Sequence, residues 1–194
     1  QGVWGNGKIN FGPMVLLGDS PSSELSAEKL DLSQRGSVIV AGFCKDGHVL
    51  DVANELPIRG LILGSLDTSL KKKAEELAFP VLVLEGFGQF AINPLAYKLL
   101  ASQEQREVSI NAEKVDHFKG TQPEIIIPLP VSETVAQPKS VEYLKPQQRV
   151  RVLNSQYARS IGVIVKVKGW TVLANGMRVQ VAEEIGRASC RERV

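Results

Sequence analysis

Between residues 36 and 88 the apolar positions gather into three short runs, GSVIVAGF, RGLILGSL and FPVLVLEGFG, each with a glycine near its end. A strand with one wet face alternates apolar and polar residues, whereas a strand covered on both faces need not, so these runs predict buried parallel strands. Between them the period changes. In KDGHVLDVANELP, Val49, Val52, Ala53 and Leu56 fall at helical spacing, as do Leu70, Ala74 and Leu77 in DTSLKKKAEELA. Asp67 or Thr68 can cap the second helix, and Pro57 and Pro80, which cannot continue a helix, end the two. A third helix is predicted over NPLAYKLLAS, with Asn93 as cap and Pro94 in the first turn. REVSINAE and the proline-bounded PEIIIPLP follow as further strands. Strand and helix alternating in this way predict a right-handed parallel α/β unit over residues 35–130.

The flanking segments follow other patterns. GVWGNGKINFGPMVLLGD is rich in glycine and ends in an apolar run, as a loop or hairpin feeding a strand would, and SPSSELSAEKLDL suits a short helix or turn. Residues 1–34 are therefore read as the end of an N-terminal β-rich segment. PVSETVAQPKSVEYLKPQQ, with three prolines and few apolar residues, gives a linker over 131–145. RVRVLNSQ, GVIVKVKG and MRVQVAE then alternate with period two, which predicts a small β-barrel over 146–183.

The last eleven residues, EIGRASCRERV, break with that alternation. Read back into codons they follow, unbroken and in frame, a common short-read sequencing adapter. Residues 184–194 are accordingly expected to be a non-native tail that forms no native element, leaving the barrel truncated. Gln1 in place of an initiating Met fits the same expectation, an assembled metagenomic fragment open at both ends.

Without the tail, 20 Lys and Arg face 19 Asp and Glu, and the formal net charge falls from +2 to +1. A nearly neutral chain offers no global attraction to nucleic acid or anionic membrane, so any such partner needs a local patch. Cys190 lies in the tail, which leaves Cys44 without a disulfide partner and points to a reducing, cytoplasmic compartment. No run approaches the roughly 18 apolar residues of a membrane helix, so no membrane partner is expected. Walker and GxGxxG spacings are missing, and the only histidines are His48 and His117. Neither cofactor nor metal is expected.

In open α/β sheets, ligands bind beyond the carboxyl ends of the strands. That edge carries Gly42, Phe43 and Cys44, then Gly64, Ser65 and Asp67, then Glu85, Gly86, Phe87 and Gly88, with Asn93 at a helix start. Two readings stand for it. Either Cys44, Ser65, Asp67, Glu85, Gly86, Gly88 and Asn93 form a crevice for a small anionic or carbonyl ligand, or the glycines simply end strands and Asp67 and Asn93 simply cap helices. GFCKDGH also places a thiol near His48, the arrangement of nucleophile and base, against which stands the ordinary role of a single cysteine as a small buried residue. No catalytic residue is assigned. Lys71, Lys72 and Lys73 read as a salt-bridged outer helix face.

Two resemblances add to this. VLVLEGFGQFAINPLAYKLLASQEQREVSINAE, with TQPEIIIPLP, is similar to uncharacterised bacterial proteins that carry an EGFG turn and a later PEIIIP strand. It implies no activity. KPQQRVRVLNSQYARSIGVIVKV resembles the KOW motif of ribosomal proteins and transcription-elongation factors, matched at residues 149–153, Gly162 and residues 163–167, and departing from it where Gln147 and Gln148 replace the usual glycine. The resemblance implies an SH3-like barrel that binds RNA or protein, with Arg149, Arg151, Tyr157 and Arg159 as contact residues and the loop 154–160 as contact surface.

The whole reads as an α/β fold, a small parallel-sheet βαβ unit followed by a truncated SH3-like (KOW) barrel. The function that follows is a binding or regulatory protein with an α/β ligand-binding module and an RNA- or protein-interaction module. The alternative is an enzyme of unknown reaction at the strand edge. Convergence of Cys44, His48 and Glu85 would mark the enzyme, and an edge filled by the chain itself the binding protein.

Overall fold

The computed structural model describes residues 1–116, 119–129, 143–152, 160–186 and 192–193. The chain forms two compact units, Gln1–Pro130 and Val131–Val194.

The three apolar runs of the first unit become β3 (Val38–Cys44), β4 (Gly60–Leu66) and β5 (Val81–Phe87). They lie parallel to one another, and β2 (Ile9–Leu16) runs parallel to β3 through Met14, Val15 and Leu16. Three antiparallel strands complete the sheet: β1 (Trp4–Gly5) on β5, β6 (Glu107–Asn111) on β2, and β7 (Glu124–Ile126) on β6. The order is β1-β5-β4-β3-β2-β6-β7. Residues 1–34, read from the letters as the end of a β-rich segment, thus supply two strands of this sheet.

Inside each run the alternation persists, hidden because both faces are covered. Ile39, Ala41, Leu61, Leu63, Val81 and Val83 pack on one side against α1 (Gly47–Glu55) and α2 (Lys71–Glu76) through Leu50, Ala53 and Ala74. Val38, Val40, Ile62, Leu82 and Leu84 pack on the other against Ile92, Val108, Ile110 and Leu100 of α3 (Pro94–Ser102). Each large apolar side chain so buried contributes about 1.5–3 kcal/mol relative to leaving it in water.

After α3 the chain does not add another parallel strand beside β5. Strand β6 carries buried Val108 and Ile110 between the more exposed Glu107, Ser109 and Asn111, a one-sided pattern suited to a flank and not to the doubly covered centre.

The sheet curls until its ends meet. Three strand pairings separate β4 from β6, yet a Cβ on Gly60 would stand 2.6 Å from Ile110 Cδ1. At the seam, Gly2 N–H donates to the Pro123 carbonyl at 2.7 Å, and the β2–β6 ladder is carried up to it by Gly7 N–H donating to the Ala112 carbonyl at 2.6 Å and Ala112 N–H to the Lys8 carbonyl at 2.9 Å. Gly5 is required there, since a Cβ would meet the Ala112 backbone at 2.3 Å. Asn6 fixes this crossing. Its buried amide donates to the carbonyls of Ala74 (3.0 Å) and Phe79 (2.9 Å) and accepts from Val81 N–H (3.0 Å).

In the second unit, β8 (Arg149–Arg151), β9 (Ile161–Val172), β10 (Arg178–Gly186) and β11 (Glu192–Arg193) form an antiparallel sheet ordered β11-β10-β9-β8. Two register shifts interrupt the β9–β10 ladder, leaving Val165 and Lys168 as extra residues on β9. Such bulges bend a strand and increase its twist, which lets a long hairpin coil over a small core. That core contains Ile164 and Val181. Strand β10 runs three residues into the stretch assigned to adapter sequence, and β11 pairs back on Glu183 and Glu184. No described helix is long and apolar enough to cross a membrane.

Candidate functional site

At the carboxyl ends of β3, β4 and β5 the chain meets itself. Gly42 N–H donates to the Ser23 carbonyl at 2.9 Å, and a Cβ on Gly42 would stand 2.5 Å from that oxygen. A Cβ on Gly64 would meet the Gly42 carbonyl at 2.4 Å and Ile92 Cγ1 at 2.7 Å. These glycines admit the chain's own loops.

Ser65 is wholly buried, and its hydroxyl donates to the Phe90 carbonyl at 2.9 Å and accepts from Phe90 N–H at 2.8 Å. A hydroxyl bonded twice to one residue anchors the loop after β5 to the end of β4. Glu85, also buried, accepts from Asn93 N–H at 3.1 Å, while Asn93 accepts from Leu95 N–H at 3.0 Å and so caps α3. The N–H groups of Asp67, Gly88 and Ile92 donate to the carbonyls of Cys44, Leu66 and Pro21. Gly86 and Gly88, with φ of 126° and 127°, hold the left-handed conformations that turn the chain here.

Asp67 accepts from both the N–H and the hydroxyl of Ser69, at 2.9 and 2.7 Å, and these bonds lower its carboxyl below the usual range. The cap sits on a short 3-10 turn, Thr68–Leu70, from which α2 continues.

Cys44 has no exposed surface, and its thiol donates to the Asp46 carbonyl at 3.5 Å. Burial pushes the thiol up to about 12, with smaller upward contributions from Asp46, Glu24 and Asp67. At neutral pH such a thiol carries almost no thiolate, the form that attacks. His48 is exposed in the first turn of α1, whose cap is Asp46. The lysine run divides: Lys73 pairs with Asp51 at 2.6 Å, and Lys71 Nζ stands 5.7 Å from the Phe87 ring centroid. Among the described residues no group of three or more His, Cys, Asp or Glu is arranged to hold a metal ion.

In the second unit, Arg149 and Arg151 are exposed on β8, paired in register with Val163 and Ile161. Tyr157 and Arg159, together with His117 of the first unit, lie outside the described residues. The same sheet carries further exposed cations and an aromatic ring. Lys166, Lys168, Trp170 and Arg178 are all exposed on β9 and β10, with Lys168 3.4 Å from Glu183. Asn6 lies in the glycine-rich segment read as a loop or hairpin, and nothing in the letters singles it out.

Comparison of the chain with protein-family models, curated proteins and solved structures gives no match.

Proposed function

We propose that this chain binds RNA through its second unit, in a cytoplasmic setting, and that the α/β unit is a non-catalytic platform. The observation that carries the reading is a segregation of charge. Residues 143–182 hold seven Lys and Arg and no Asp or Glu, whereas residues 1–142 hold 13 Lys and Arg against 18 Asp and Glu. The near-neutral total is the sum of an acidic part and a basic one, and charge asymmetry of this kind is the electrostatic footprint of a polyanion-binding module. The resemblance to the KOW motif supports RNA as that polyanion. The strand edge of the first unit supports the other half of the reading, because Ser65, Asp67, Glu85 and Asn93 are engaged in holding loops and caps and Cys44 keeps its proton.

The test is fluorescence anisotropy with a labelled RNA hairpin, which offers paired and open nucleotides together, over a range of salt. Log affinity should fall linearly with log salt by about 0.7–0.9 per phosphate contact, and replacing both Arg149 and Arg151 by Ala should reduce the slope by about 1.5. Absence of binding at low salt, or binding indifferent to both salt and the double substitution, would sink the reading.

A further inference from the structure

We infer that Trp170 is a base-stacking platform and that the nucleic acid held by the second unit is single-stranded. The inference rests on the RNA-binding reading above and narrows its substrate. Aromatic side chains normally enter cores, because burying one removes a large apolar surface from water. Here Trp170 stays 64% exposed and Tyr143 71% exposed, while Ile164 and Val181 are buried apolar residues among those described in the unit. Trp170 lies opposite Gln180 on the β9–β10 ladder, and Val172, two residues on, lies opposite Arg178. Residues at this spacing share a face, so a flat ring stands beside an amide and diagonally from a guanidinium on an outward surface.

Stacking needs a free base face. A duplex presents its phosphates and groove edges and keeps its faces stacked inside, whereas an open strand offers every face to an aromatic ring and its backbone to cations. Arg178 shares the face of Trp170, and further cations follow the hairpin along its length, Lys166 in register with the opposite face. Arg149 and Arg151 pair with β9 at Val163 and Ile161, Lys166 and Lys168 lie midway, and Arg178 lies beyond Trp170. From Ile161 to Trp170 the strand covers about 30 Å at about 3.3 Å per residue, less what the bulges remove. An exposed apolar hairpin tip with Trp170, Val172, Leu173 and Met177 is also a form that enters membranes, but that use gathers cations around the tip, and here they extend to the far end of the hairpin.

The experiment compares the intact chain with its Trp170→Ala, Trp170→Phe and Arg149→Ala/Arg151→Ala variants. Labelled probes are a twelve-nucleotide single-stranded RNA, its fully paired duplex, and vesicles of phosphatidylserine and phosphatidylcholine. The single strand should bind more tightly than the duplex. Trp170→Ala should weaken single-strand binding at least about fivefold without changing the salt slope, and Trp170→Phe should keep most of the affinity. Circular dichroism should be the same for all variants, since the ring leaves no core. If the arginine variant weakens binding while Trp170→Ala does not, or if duplex and single strand bind equally, stacking is wrong and the RNA reading stands. Binding of vesicles with neither RNA bound would overturn both.

Discussion

In GFCKDGH a thiol stands four positions before an imidazole, and linear spacing alone suggests a nucleophile and its base. Spacing carries no burial, and burial decides the chemistry here: Cys44 is enclosed and His48 is exposed. With Cys190→Ser as background, a thiol-exchange reagent at pH 8 should modify Cys44 far more slowly than free cysteine. A rise from 9.0 to about 12 leaves about a thousandfold less thiolate. Rapid labelling of the folded chain would show the thiol to be accessible. The same shift links to stability. The unfolded chain loses this proton near 9 and the folded chain near 12, so the contribution is intact below pH 9 and lost as pH rises toward 12, at up to about 1.4 kcal/mol per pH unit. Alkaline unfolding of the same background and of its Cys44→Ala variant should differ by that slope. Asn6 was illegible for the converse reason. GNG in a sequence marks a turn, and nothing local tells that the amide will meet Ala74, Phe79 and Val81.

Among elements, those fixed by neighbours in sequence were read well. Asn93 and Pro94 start α3 where the cap and first-turn rules place it, and the three apolar runs are the three central parallel strands. The placing of β6 was not legible, because antiparallel pairing with β2 depends on contacts about a hundred residues apart. The end of β5 and the turn after it carry glycines legible in the letters, with a purpose visible only in three dimensions: Gly86 pairs with Ser65 just past the register shift between β4 and β5. With Gly86 at φ 126°, Gly86→Val should cost on the order of 1–3 kcal/mol in chemical unfolding, from backbone strain. Glu85→Gln, which keeps an acceptor for Asn93 N–H but removes its charge, should cost less, about 1 kcal/mol. Equal, negligible effects would mean the turn tolerates other conformations. A thermal-shift hit among anionic or carbonyl metabolites that both substitutions abolish in a folded chain would restore this edge as a ligand site.

For the whole molecule, the division into two units and the division of charge fall close together, the first at Pro130 and the second after Glu142. The whole-chain balance conceals this, since opposite excesses cancel in a sum; counted by segment, the same letters reveal it. Residues 1–130 expressed alone should melt as one cooperative transition and bind no RNA hairpin, because the cores on both faces of the sheet lie within them. Retained RNA affinity would move the binding surface to the first unit. The seam that closes the sheet also imposes an order in time. Gly2 can make its bond only when Pro123 exists, and Gly7 only when Ala112 does. During synthesis the strand made earlier waits for partners made more than a hundred residues later, with its edge unpaired and open to other chains. A ribosome that stalls between residues 60 and 110 would therefore hold out a half-built sheet whose own clasp is present but has nothing yet to fasten to.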